Sequence, residues 1–483
     1  MERRKFIRNA ALMAAGQGII TRSLVGKDLR RRPNILVITT DQQAAIAMSC
    51  AGNPYVKTPA MDRLARLGVR FEKAYCSGPI CVPSRTSYMT GTMPHENGVD
   101  YNGEQVPFNT DAFPILAGNF LRAGYDTGHF GKWHIPADIH NTEWSGFGTA
   151  ESVRNNRVDF DIVSPCLQFI NKEREQPFLA FASFVNPHDI CEFARILSGI
   201  PDELKNGQIP DLPDADELPP LPENWSPPED EPTAMRDHYT HERTENVYPS
   251  RRWDGKDDLR WRQYLWGYYR MIELVDGYIG MLLDGLEASG QADRTVIVFA
   301  SDHGDGMARH HWNQKTVFYD ECARIPFIMC WPEAIPSGLV DANHLVNLGT
   351  DLFPTIMDAA GIAKPRHLKG LSALPSARGI AGAPEHRFVV SQNNLQPAYE
   401  ERGEVSGRMV RTTRYKYVCY SNGEDPEQLF DMEEDPLETR NFAKHPAYAD
   451  VLNEHRGLLR NWVDENDDFF RFKGVGSKGT PHP

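Results

Sequence analysis

Residues 34–41 read NILVITTD, a run of strand-forming residues that stops on a carboxylate. Three other stretches end the same way: 125–131 ahead of Lys132 and His134, 178–185 (FLAFASFV) ahead of Asn186 and His188, and 295–301 (TVIVFAS) ahead of Asp302 and His303. Helical stretches at 58–67, 113–123 and 264–289 alternate with these runs, which indicates an α/β sheet covered by helices. Ligands of such sheets sit beyond the carboxyl ends of the strands. The four polar clusters are therefore expected to converge on one edge.

Outward from this frame the pattern changes twice. Residues 201–232 hold nine prolines among many acids, a composition that reads as a long surface loop, either a wall of a substrate pocket or a solvated insertion. From about Arg387, short strands (FVVSQ, RYKYVCY), acidic turns and a final helix at 447–465 suggest a smaller α+β domain. The expected division is 1–30 export segment, 31–385 catalytic α/β domain and 386–483 C-terminal domain.

Composition excludes several classes. The chain has 483 residues, 40% hydrophobic and 24% charged, with a net charge of −14 that repels polyanions and argues against nucleic acid as a partner. After the first thirty residues no apolar run approaches the roughly 18–20 residues that a membrane span needs. At the start, Arg3, Arg4, Lys5 and Arg8 precede a mild apolar stretch at 10–20, which reads as a twin-arginine export signal and predicts a periplasmic or secreted protein. The eight cysteines lack C-x-x-C spacing, which argues against a zinc ribbon or redox pair.

One cysteine stands apart. Cys81-Val82-Pro83-Ser84-Arg85 precedes a short helix expected at 84–89, so Cys81 sits where backbone N–H groups and the helix dipole favour an anion. Asp41, Asp302 and His303, each at a strand end, could bind a divalent ion, and carboxylate-rich ligation favours a hard cation.

C-x-P-S-R, followed by Thr90-Gly91, resembles the signature of type I sulfatases of the alkaline phosphatase superfamily, in which the cysteine is oxidised to formylglycine. Further blocks fall in the family's order: RPNILVITTD (32–41), GYDTGHFGKWH (124–134), PFLAFASFVNPH (177–188), VIVFASDHGD (296–305), HHWNQKTVFYDE (310–321), DLFPTIMDAAGI (351–362) and EQLFDMEEDPLETRN (427–441). The resemblance implies an alkaline-phosphatase-like fold, a large mixed β-sheet sandwiched by helices with a smaller C-terminal α+β domain. It also implies a maturation enzyme acting on Cys81 and a sulfated small molecule or glycan as substrate.

The site it implies has metal ligands Asp41, Gln42, Cys81, Asp302 and His303, holding calcium in the first place and magnesium in the second. Gln42 and His303 depart from the aspartate and asparagine of many relatives. Its mechanism assigns attack on sulfur to the hydrated aldehyde at 81, polarised with the help of Arg85. Lys132 holds a sulfuryl oxygen, and His188 and Lys315 bind the sulfate and protonate the leaving oxygen. His134 deprotonates the remaining hydroxyl. The competing readings are a phosphodiesterase or phosphonate monoester hydrolase of the same superfamily and a non-catalytic sugar-binding relative.

His95, His310 and His311 lie near the motifs without matching them. Gln392, Asn393 and Asn394 could hydrogen-bond a sugar, but three amides in a row more often make a turn. Trp225, His238 and His241 are weaker candidates still.

Overall fold

In a computed structural model, the structure describes residues 32–103, 108–152, 159–240, 253, 257–395 and 405–471. The expected export segment and His241 lie outside the described residues. Eight strands, β1 (Asn34–Asp41), β2 (Val69–Tyr75), β3 (Asp126–Gly131), β4 (Thr149–Ser152), β5 (Phe178–Pro187), β6 (Thr295–Ser301), β7 (Phe327–Cys330) and β8 (Leu339–Asn347), form one sheet in the order β4-β3-β5-β1-β6-β7-β2-β8. Only β7 runs against its neighbours. The four strands read first from sequence are thus adjacent and parallel, with Ile38 of β1 level with Ala182 of β5 and Phe299 of β6. Parallel neighbours in close register bring their carboxyl ends to one edge, as expected.

The apolar run of β1 is continuous because both faces are covered. Leu36 and Ile38 pack under the long helix Asp258–Ala288, whereas Ile35 and Val37 face the side of the helix Leu348–Ala360. Burying each such side chain contributes about 1.5–3 kcal/mol.

Helix ends differ from expectation where caps decide them. The long helix begins at Asp258, because Asp257 caps it by accepting from the Arg260 N–H. The stretch expected at 113–123 is helical only over Ala117–Arg122. Pro114 disfavours helical geometry in the residue before it, and the Leu116 N–H is diverted to Met89 O at 2.9 Å. The helix expected from 84 already starts at Cys81, since Pro83 in the first turn needs no donor.

The C-terminal strands β9 (Val389–Asn394), β10 (Ser406–Arg411), β11 (Tyr415–Tyr420) and β12 (Glu427–Asp431) form an antiparallel sheet in the order β12-β11-β10-β9. One face, with Met409 and Val418, packs on Tyr75 and Leu345 of the large sheet. The other, with Val410 and Tyr417, is covered by Leu452, Leu459 and Val463 of the helix Ala449–Glu465. The 385/386 division proposed from sequence falls between the short helix Leu374–Ala377 and β9.

One expectation is corrected here. Gln392, Asn393 and Asn394 do not turn: they are buried in β9 and pair with Arg408, Gly407 and Ser406 of β10. Their amides tolerate burial because each donates, Gln392 to Asp468, Asn393 to Thr316 O and Asn394 to Asp100. Segment 201–232 has no regular structure, as expected, yet it is not merely solvated. Asn206 and Asn224 are buried, Asn206 bound to Asp189 at 2.6 Å and Asn224 to Leu437 O at 3.0 Å. Among the described residues, no helix is long and apolar enough to cross a membrane.

Candidate active site

Cys81 opens the helix Cys81–Thr90, all of whose residues are buried. One turn later, Arg85 is fully enclosed and spends its guanidinium on three acceptors: Asp302 Oδ2 at 2.8 Å, Lys132 O at 2.9 Å and Asp41 Oδ2 at 3.2 Å. Lys132 Nζ adds a second cation to Asp41 Oδ2 at 2.6 Å. The two carboxylates are thereby divided. Their Oδ2 atoms are held by cations, while Asp41 Oδ1 lies 3.6 Å from Cys81 Sγ and Asp302 Oδ1 lies 3.8 Å from His303 Nε2.

Backbone geometry fixes these ends. Gln42 has φ 71°, a left-handed conformation that costs a non-glycine residue about 1–3 kcal/mol unless its surroundings impose it. Its N–H donates to Asp302 Oδ1 at 3.1 Å, and its carbonyl accepts from the Tyr268 hydroxyl at 2.7 Å. Beyond His303, a Cβ on Gly304 would lie 1.9 Å from Glu321 O, so only glycine lets that turn close. His134, Gln314 and Thr316 also have positive φ.

Around the Cys81 sulfur stand His303 Nε2 at 3.1 Å and Lys315 Nζ at 3.2 Å, with His134 near enough to act on its charge. His188 is close enough to act electrostatically on Asp41. All ten residues expected from sequence are thus brought to one place, eight of them buried, with His188 half-buried and His134 exposed at its rim. The Gln42 amide oxygen accepts from Lys315 Nζ at 2.9 Å, and its nitrogen donates to Asp305 Oδ2 at 2.8 Å.

Burial pushes the Cys81 thiol up, but Lys315, Lys132 and His303 outweigh it and bring it well below its usual range. Burial and the Cys81 charge also raise the Asp41 carboxyl, and Lys132, His188 and Arg85 overcome them to hold it low. Asp302 moves the other way, pushed up by burial and by Asp41. The histidines divide similarly. Burial lowers His134, whereas at His188 the same burial is outweighed by Cys191 and Asp41, which favour the protonated ring.

Asp41, Cys81, Asp302 and His303 each offer a donor atom within 4.8 Å of the others, and all four are buried. Two carboxylate oxygens left facing inward by their cation partners suit a hard divalent ion. Cys81 Sγ marks where the oxygens of an oxidised side chain would lie.

The remaining sequence candidates are elsewhere. His95 is fastened between Gln392 Oε1 and Asn466 O, His310 stacks on Tyr319 with ring centroids 3.8 Å apart, and His311 packs on Trp225. His238 hydrogen-bonds Thr316 at 3.1 Å. Sequence reading missed Asp305, Gln314, Cys191 and the tyrosines 264 and 268. Tyr264 donates to Asp305 Oδ2 at 2.8 Å, and Cys191 Sγ lies 2.8 Å from Gln314 Oε1. Tyr264 and Tyr268 stand one helical turn apart on the long helix, a spacing that offered a signal; Cys191 offered only its distance of three residues from His188.

Residues 33–362 match the Sulfatase family model, and residues 308–464 match that of the N-sulphoglucosamine sulphohydrolase C-terminal region. The chain is 32% identical over 460 residues to a Delta 4,5-hexuronate-2-O-sulfatase of Bacteroides thetaiotaomicron, covering 92% of this chain and 91% of that one. A solved 2-O GAG sulfatase superposes with a TM-score of 0.78 at 29% identity, covering 91% of this chain and 93% of the other. The phosphonate monoester hydrolase of Agrobacterium radiobacter superposes with a TM-score of 0.70 at 20% identity, covering 90% and 96%, and shows the shared fold.

Proposed function

The chain belongs to the sulfatase family and is an enzyme of it, and from that premise we propose that it releases sulfate from a sulfated sugar through a formylglycine made from Cys81, with one divalent cation. The observation that carries this reading is the buried cage in which His303, Lys315 and Asp41 all lie within 3.6 Å of Cys81 Sγ. Similarity to a hexuronate sulfatase and to a GAG sulfatase supports a glycan substrate.

Once oxidised and hydrated, residue 81 supplies a geminal diol, one hydroxyl to attack sulfur and a second to expel sulfate. The cation, calcium before magnesium, would be held by Asp41, Asp302, His303 and residue 81 with Gln42 beside it, and supplies Lewis-acid polarisation. Arg85 keeps both carboxylates oriented. Lys132 and Lys315 provide fixed positive charge for sulfuryl oxygens, in a place already desolvated. His188, favoured as the cation by its neighbours, donates a proton to the leaving oxygen, and His134, kept neutral by burial, accepts one from the diol. Twin-arginine export to the periplasm or beyond, and an oxidising maturation partner, belong to the same proposal.

The test is the mass of the peptide carrying residues 76–85 from protein co-expressed with a maturation system, followed by sulfate release from sulfated glycosaminoglycan disaccharides. An aldehyde at 81 and release that Cys81→Ala abolishes support the proposal. A persistent thiol in a system that matures a control sulfatase, or full activity in Cys81→Ala, removes it.

A further inference from the structure

Where β5 gives way to the helix Ile190–Leu197, three side chains converge that the sulfatase chemistry does not use together: His188, Cys191 and Glu192. The turn between them is closed by the Cys191 N–H on His188 O at 3.0 Å. Positions three and four apart then share one side of the backbone, and their donor atoms fall within 4.8 Å of one another.

Two details indicate that this group is incomplete. Glu192 is 7% exposed, and its Oε1 is engaged by Lys205 at 3.2 Å and Arg195 at 3.6 Å, yet its Oε2 is buried with no hydrogen-bond partner. A buried carboxylate oxygen without a donor is costly. Cys191 Sγ also lies 4.0 Å from His188 Nε2. A tetrahedral zinc ion, with Zn–S about 2.3 Å and Zn–N about 2.0–2.1 Å, separates such atoms by roughly 3.5 Å, so a shift of a few tenths of an ångström suffices.

We propose that His188, Cys191 and Glu192 form a second cation site, selective for borderline-soft divalent transition ions of the zinc class, whose occupation inhibits the enzyme by withdrawing His188. The donor set of one imidazole, one thiolate and one carboxylate prefers zinc over calcium. The oxygen-rich set at Asp41 and Asp302 has the opposite preference. Zinc and calcium therefore sort between neighbouring sites. The inhibitory half rests on the catalytic role proposed for His188; the binding half does not.

Cobalt(II) reports the site directly, because thiolate ligation adds a near-ultraviolet charge-transfer absorption that oxygen ligands lack. The Cys81→Ser protein, held in excess calcium, is titrated with cobalt. Among the described residues, the two groups named are the only sets of three such donors close enough for an ion, so with Cys81 gone a thiolate band reports Cys191. The expected result is one saturable equivalent, displaced by zinc, lost on adding Cys191→Ser and weakened by about tenfold or more in Glu192→Gln. The last variant also covers the case in which loss of Cys191 disturbs folding. In matured enzyme, zinc should inhibit sulfate release in the presence of calcium, and Glu192→Gln, equally active without zinc, should need about tenfold more. No band, or a band that survives removal of Cys191, overturns the site. A band without inhibition of a working enzyme overturns the inhibitory role, whereas a band in a matured protein that releases no sulfate leaves the site standing and counts against the proposed function.

Discussion

Lys315 Nζ stands 3.2 Å from Cys81 Sγ, although 234 positions separate the two residues in the chain. The loop that carries the lysine is tied down on both sides of it: the Trp312 indole donates to Lys315 O at 3.1 Å, and the Thr316 N–H donates to Pro79 O at 2.9 Å. The backbone just ahead of Cys81 thus holds the loop that brings a cation to its sulfur.

Lys315→Ala should lower kcat by about 10²–10³, the usual loss when one preorganised electrostatic group is removed from a buried site. The loop ties are backbone and indole contacts, so near-ultraviolet circular dichroism should stay native. Steady-state kinetics on a sulfated disaccharide checks this, and a loss confined to KM would show that Lys315 binds substrate without favouring the transition state.

Arg85 should fail differently. Its side chain is 1% exposed and lies between two carboxylates that are themselves fully buried. Removing it leaves both without their shared cation, and breaking a buried pair this way costs about 3–5 kcal/mol. Arg85→Ala should therefore lose stability in urea as well as activity. Arg85→Lys should recover only part, because one ammonium cannot reach Asp302 Oδ2, Asp41 Oδ2 and Lys132 O together.

These contrasts mark what was legible in the sequence. The parallel sheet and the convergence of Asp41, Lys132, His188 and Asp302 could be read because each follows an apolar run, and a parallel sheet sends such ends to one edge. The strands β10 and β12 were overlooked: SGRMVR and EQLFD are short and polar, and they become strands only against β9 and β11. The burial of Gln392, Asn393 and Asn394 was hidden for the same reason, since the acceptors of their amide N–H groups lie at positions 468, 316 and 100. Cys191 was passed over because an isolated cysteine is ordinarily a small core residue, and its spacing of three from His188 puts the two on one side only once the turn after β5 is known.

The divided carboxylates give a prediction for metal removal. With Asp41 Oδ1 and Asp302 Oδ1 directed inward and both acids buried, a bound cation relieves repulsion that Arg85 and Lys132 offset on one side only. Stripping the matured enzyme with a chelator should abolish most sulfate release and lower the melting temperature. Calcium should restore both better than magnesium, whose octahedral demand suits a mixed set with an imidazole less well. Magnesium restoring more activity than calcium would reverse the assignment of the ion.

Remote from the site, His386 clamps Asp351 through Nε2, at 2.9 Å from Oδ2 and 3.1 Å from Oδ1, with its side chain 20% exposed. Asp351 lies in the first turn of the helix Leu348–Ala360, which packs against the helix Cys81–Thr90, so the pair ties the approach to β9 to the scaffold under Cys81. Burial disfavours the His386 cation, but Asp351 outweighs it and raises the pKa above the usual value of 6.5. The native state therefore binds the proton more tightly than the unfolded chain does. The stabilisation, of the order of 1.5–3 kcal/mol for a charge-assisted bond, is fully present below about pH 6.5 and is lost as pH rises through the folded pKa. Urea unfolding of wild type and His386→Gln across pH 5.5 to about 9 checks the sign: the wild-type advantage should be constant at the acid end and shrink steadily on the alkaline side. Parallel curves would mean that the ring acts as a neutral hydrogen-bond donor, and an advantage that grows with pH would contradict the ion pair outright.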